Sequence, residues 1–150
     1  MTAIDVAKYF LYKTSQDGDL ITNLKMQKLL YYAQAWYLVN FDKSLFEDQI
    51  FAWDFGPVVK NVYDRFKKYR HTPIVIEENF ERNIKKIGKE DKKFLDEFYD
   101  QFSNYSAHDM VNLSHSEEPW QKAYKTKTQI IDINLMKDFY TKLYDKSIKK

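Results

Sequence analysis

Metal and nucleophile chemistry have few side chains to draw on in this sequence. It holds three histidines, His71, His108 and His115, and no cysteine, which excludes disulfide frameworks and cysteine-based zinc sites. His108 and His115 stand two helical turns apart, but the run from Ser114 to Pro119 breaks a helix between them, and no His-Glu-x-x-His motif occurs. Ser114-His115 and Ser106/His108 are neighbours in sequence, which does not make a hydrogen-bonded nucleophile and base. There is no Gly-x-Ser-x-Gly elbow, and Gly18, Gly56 and Gly88 stand alone, so no loop is built to cradle a phosphate. The paired carboxylates Glu77-Glu78 and Glu117-Glu118 lie in polar runs and read as solvated surface rather than an acid/base pair. On these grounds no catalytic residue, metal or cofactor is expected.

What remains is the chemistry of contact. Lys60, Arg65, Lys67, Lys68 and Arg70 face only Asp64 over eleven residues. That stretch is either a solvated helix face or a surface for an acidic partner or a phosphate. The whole chain, with 24 basic and 22 acidic residues, is too balanced to call for nucleic acid. Its 12 Tyr, 11 Phe and 3 Trp exclude a disordered chain. The Phe and Trp residues fall on helical stripes and are expected in a core. The tyrosines exceed that need, Tyr31, Tyr32 and Tyr37 alone circling much of one helix. Tyrosine joins a large contact area to a polar tip, so the surplus is expected at a protein interface.

The elements that must hold these residues are mostly helical. Thr2 with Asp5 forms a capping-box start, and Ile4, Ala7, Phe10 and Leu11 make a stripe that ends near Lys13. Thr22 caps a helix over 23–40 that is apolar on most sides and therefore central. Residues 49–53 and 73–77 read as two strands that pair with each other. Between them Pro57 suits the first position of a helix bearing Val59, Val62, Tyr63 and Phe66. The stretch 77–89 reads as loop or frayed helix. Helices follow after Gly88, after Ser106 with its Asp109, at Glu118-Pro119-Trp120, and after Asp132, the last ending in the basic run Lys146 to Lys150. Few Gly and Pro argue against a β-sandwich. The expected fold is mostly α: a single compact bundle of six or seven helices with a small two-stranded β insert, in one domain over 1–150. No short turn joins two helices as DNA readers require, so direct DNA binding is not expected. There is no signal-peptide pattern, and the longest apolar run, Ala35 to Val39, is far below a membrane span, which implies a soluble, cytoplasmic protein.

Four ordered blocks within 21–124 resemble the Panacea domain of the SocA-like antitoxins. The first runs from Ile21 to Trp36 and contains Lys25, Gln27, Lys28, Tyr31, Tyr32 and Gln34. Ser44-Leu45-Phe46 matches the turn after that helix. Trp53-Asp54-Phe55-Gly56-Pro57-Val58 matches a Trp-x-x-Gly-Pro-Val block, followed by Tyr63 and Phe66. Leu113-Ser114-His115 with Pro119-Trp120 resembles the closing block. Tyr37 stands where many members have His, and Ser114 where Thr is usual. The resemblance implies a mostly helical, phage-associated antitoxin that neutralises a cognate toxin, a neighbouring gene product, by direct stoichiometric binding. Some members are thought to be adaptors that deliver a toxin to a protease. With about 20 residues before the signature and about 26 after the last block, a separate helix-turn-helix domain does not fit. Candidate partner-binding residues are Trp53, Asp54 and Phe55, then Lys60, Tyr63, Arg65, Lys67, Lys68 and Arg70, and His115. Gly56-Pro57 would form a strand-to-helix turn over Trp53 and Trp120, with Asp54 capping the helix. Two alternatives stay open: an adaptor or anti-defence protein that binds a host factor, and a hydrolase using His115 with a nearby carboxylate.

Overall fold

Thirteen of the nineteen residues of α2 (Asn23–Phe41) are buried, and the rest of the chain is built around that helix. In the computed structural model, which describes residues 1–76 and 80–149 (146–149 as backbone only), α2 packs against five other helices and a hairpin. Thr22 starts it by accepting the Lys25 N–H, and Asp42 ends it in the left-handed conformation at φ 58°.

The other helices begin where their caps place them. Thr2 and Asp5 form a reciprocal box at α1 (Ala3–Gln16), which runs past Lys13 because the chain first turns left-handed at Gly18, φ 68°. Ser106 and Asp109 do the same for α6 (Ala107–His115). Asp132 Oδ1 accepts the Asn134 N–H at 2.8 Å at the head of α8 (Ile133–Lys149). Between them lie α3 (Lys60–Phe66) with a 3-10 turn at Lys67–Tyr69, α4 (Glu81–Lys86), α5 (Lys89–Phe102) and α7 (Glu118–Tyr124), with Pro119 in its first turn. Among the described residues that makes eight helices and one two-stranded sheet, the expected mostly-α class. The eighth is α4, in the stretch read as loop or frayed helix. Glu77-Glu78 and the side chains of Lys146 to Lys150 lie outside the described residues.

The strand pairing differs from expectation. β1 (Ile50–Trp53) pairs antiparallel with β2 (Gly56–Val59) through the two-residue turn Asp54-Phe55, not with 73–77. Pro57 therefore lies in a strand, and the helix starts at Lys60. A proline is harmless there because Ala52, opposite it, turns its own N–H to Gln129 O at 2.7 Å, so no donor from Pro57 is missed. Pro73 instead makes an isolated bridge to Thr22, and the Ile74 N–H bonds Ile21 O at 2.8 Å. Ile74 is buried there, while Val75 and Ile76 face water.

Half of the twelve tyrosines, including the three that circle α2, are internal, a second correction, while Tyr105, Tyr124 and Tyr144 stay exposed. Tyr9, Tyr31, Tyr32, Tyr37, Tyr99 and Tyr140 are all buried. Each hydroxyl meets a partner: Asp96 for Tyr9, Asp91 for Tyr37 and Thr14 for Tyr99. Glu117, expected at the surface, is only 6% exposed and accepts from Tyr32 at 2.6 Å and Tyr140 at 2.9 Å, with Tyr31 bonded to Tyr140 at 2.9 Å. Burial raises the Glu117 pKa, and the two tyrosine bonds pull it back down. A raised carboxylate favours folding on acidification, since the folded chain then holds the extra proton. Tyr32→Phe removes one donor from that carboxylate. It should cost about 1.5–3 kcal/mol at pH 7, and less on acidification once Glu117 is protonated. Urea unfolding at the two pH values checks this, and an equal loss at both contradicts it.

Candidate protein-binding groove

The hairpin is held from below by polar side chains of α2. Gln27 Oε1 accepts the Val59 N–H at 2.9 Å, and Lys28 Nζ donates to Pro57 O at 2.8 Å. Those two backbone groups point away from β1, so α2 supplies the bonds that a third strand would make. Farther along, Gln34 takes the Leu45 N–H and gives to Phe46 O, both at 2.7 Å, fixing the connector. Lys25 donates to Ser103 O at 2.7 Å. Trp120 Nε1 donates to Trp53 O at 2.9 Å, so α7 braces the turn from the other side. Trp36 packs its ring near Tyr140. The signature residues Lys25, Gln27, Lys28, Tyr31, Tyr32, Gln34 and Trp36, with Trp120, thus shape the scaffold.

Gly56 sits at φ 101°, and a Cβ there would meet Lys28 Cε at 2.8 Å and Ser114 Oγ at 3.0 Å. The close approach of hairpin to α2 and α6 requires glycine. It delivers the turn residue Phe55 to the surface with its ring 70% exposed.

Phe55 borders an open groove of about 700 Å³ between the hairpin, the start of α2 and the α3 end. Of the ten candidate partner-binding residues, Trp53, Asp54, Phe55, Tyr63, Lys67 and Arg70 line it. Trp53 and Tyr63 meet edge to face at 5.1 Å and form one wall. Arg70 holds φ 53°, a strained value for a residue with a side chain. The remaining four lie elsewhere. Lys60 bonds Asp64 at 2.8 Å, and with Lys67 it holds that carboxyl below the usual carboxylate range. Arg65 and Lys68 line a smaller pocket with Phe66 and Phe80. His115 packs at a tilt against Trp120, ring centres 4.2 Å apart, with Nε2 buried and unbonded.

One further reading changes. Asp54 caps no helix; it accepts from the Tyr124 hydroxyl, and α3 has no side-chain cap. Ser114 donates to Val111 O at 2.9 Å, so the neighbours Ser114 and His115 form no dyad. Among the described residues, no group of three metal-binding side chains comes together, and no helix is long and apolar enough to cross a membrane. The groove also takes in Asn23, Leu24, Gln27, Val58, His71 and Gln129. Gln27 and Val58 belong to the signature blocks, and Asn23 and Leu24 fall within the Ile21–Trp36 block. His71 and Gln129 reach the groove only through the fold.

No curated protein and no solved structure matches the chain. The family model for the SocA-like antitoxin Panacea domain matches residues 26–121. That span runs from the first turn of α2 through most of α7 and holds every clamp from Gln27 to Trp120. The chain that builds this braced hairpin belongs to the SocA-like antitoxin family.

Proposed function

We propose that this protein is the antitoxin of a toxin–antitoxin pair, acting in the cytoplasm and neutralising a cognate toxin by direct stoichiometric binding at the groove beside Phe55. Family membership supports the antitoxin role. The observation that carries the surface is Phe55: a large apolar ring, 70% exposed, held out on a turn braced by α2 and α7. An apolar group presented rigidly to water gains its free energy from a partner rather than from its own fold.

The test is co-expression with the product of the neighbouring gene. Growth arrest by that product alone, relief by this chain, and a complex of fixed stoichiometry by light scattering are the expected results. Phe55→Asp should abolish relief while leaving the melting temperature unchanged, because the ring touches little of its own chain. A harmless neighbour with no toxic protein co-purifying overturns the proposal. Relief at sub-stoichiometric levels that needs a host protease overturns the stoichiometric mechanism in favour of an adaptor.

A further inference from the structure

The chemistry of the groove restricts what can fill it. Strand addition needs an open ladder, and the hairpin offers none. On the outer side of β1, Ala52 N–H bonds Gln129 O and Ile50 O takes the Ile131 N–H. On the outer side of β2, Gln27 and Lys28 hold the Val59 N–H and Pro57 O. Both edges are closed, so recognition through the partner's backbone has nothing to pair with.

The floor is no better supplied with free donors. The Gln27 amide gives its N–H to Asn23 Oδ1 at 2.8 Å, and the Asn23 amide gives to Tyr63 O at 3.3 Å. An extended or polyproline segment pressed onto Leu24, Val58 and Trp53 would bury carbonyls with no partner, each costing free energy. A helix bonds its own backbone and presents only side chains. The lip carries more cations than acids: Lys67 and Arg70 are exposed there beside His71, with Lys67 3.7 Å from Asp64 Oδ1, against one acid in the lining, Asp54, which accepts from Tyr124. Arg70 is kept on that lip despite its positive φ, and strain of this kind gathers where a surface binds.

We infer that the groove takes one amphipathic helix of the partner, its apolar face seated between Phe55, Leu24 and Val58 and its acidic residues set against Arg70 and Lys67. This deepens the antitoxin reading by naming the recognised segment, and rests on that reading for the partner being a toxin.

The probe is a displayed library of random peptides about sixteen residues long, enough for four helical turns, panned on the full chain and counter-selected on Phe55→Asp. Enriched sequences should carry apolar residues at i, i+3 or i+4, and i+7, with net negative charge. The best peptide should lose about tenfold in affinity on Arg70→Glu, through like-charge repulsion. Arg70→Gly removes charge and strain together, so it should bind more weakly yet melt at a higher temperature. Period-two, proline-rich or basic enrichment, no enrichment, or unchanged binding by both Arg70 variants overturns the inference. Acidic helices selected while the neighbouring gene proves harmless sink the toxin assignment alone. Neutralisation that survives in a chain whose groove selects nothing sinks the helix inference alone.

Discussion

Gly56→Ala should destabilise the protein by about 2–5 kcal/mol, the sum of a methyl group forced into a positive-φ conformation and one forced into an occupied space. The first part follows from φ 101°. The second follows from Lys28 Cε at 2.8 Å and Ser114 Oγ at 3.0 Å. A flexible lysine would ordinarily swing aside, but Lys28 is 0% exposed and its Nζ is tied to Pro57 O, in the residue next to the glycine. Gly18 separates the two contributions. It also has positive φ, 68°, but nothing lies within 4 Å of its absent Cβ. Gly18→Ala should therefore cost only about 1–2 kcal/mol, the conformational part. Urea unfolding of both variants gives the comparison. Equal losses would mean that the hairpin yields and that Phe55 is not rigidly presented. Because Gly56 also sets the turn, the Ala variant should bind its partner less well even where it remains folded.

How much of this was legible in the sequence depends on how far each determinant reaches along the chain. The caps at Thr2, Thr22, Ser106 and Asp132 act within three residues and were readable, as was the all-round apolar character of α2. Pro57 was misread because a missing N–H is equally harmless in a first helical turn and opposite an Ala52 whose donor points elsewhere. The choice is made by Gln129, far along the chain. The run Ile74 to Ile76 has strand-forming side chains but finds no ladder, since strand preference is mainly a preference for packing against neighbours. Tyrosine count shows that many hydroxyls need a place, but Asp91, Asp96 and Glu117 decide that the place is inside. Glu117 and Glu118 look identical in sequence. One is buried under two tyrosines, and the other pairs at the surface with Lys122 at 3.0 Å. The groove was half legible, because Trp53 to Phe55 are contiguous with a recognisable turn, whereas His71 and Gln129 have no local mark.

Lys28 should make stability rise with pH between about 7 and 10.5, and Lys28→Met should remove that rise. Burial, with no carboxylate bonded to it, pushes the lysine down from 10.5 to about 7. Within that window the unfolded chain holds a proton on Lys28 that the folded chain has given up. The unfolding free energy therefore climbs with pH, by at most about 1.4 kcal/mol per unit, and the gain is lost as pH falls back to about 7. At pH 7 the Met variant avoids the cost of desolvating an ammonium but leaves Pro57 O without its donor. The first effect is the larger, so the variant should be the more stable by roughly 2–4 kcal/mol. Toward and above pH 10.5 the lysine is neutral when folded and increasingly neutral when unfolded, its bond to Pro57 O costs no charge, and the order should reverse. Tyrosine ionisation also bends both curves at high pH. The quantity to measure is therefore the difference between the two proteins in denaturant titrations across the window, where the shared tyrosines cancel. Parallel curves would mean that Lys28 stays charged when folded, against the dry environment that the structure gives it. A crossing would show that the lysine lowers stability at neutral pH while it holds the Phe55 hairpin against α2. Lys28→Met should then bind the partner more weakly at pH 7 although it is the more stable protein, because the hairpin has lost its tether.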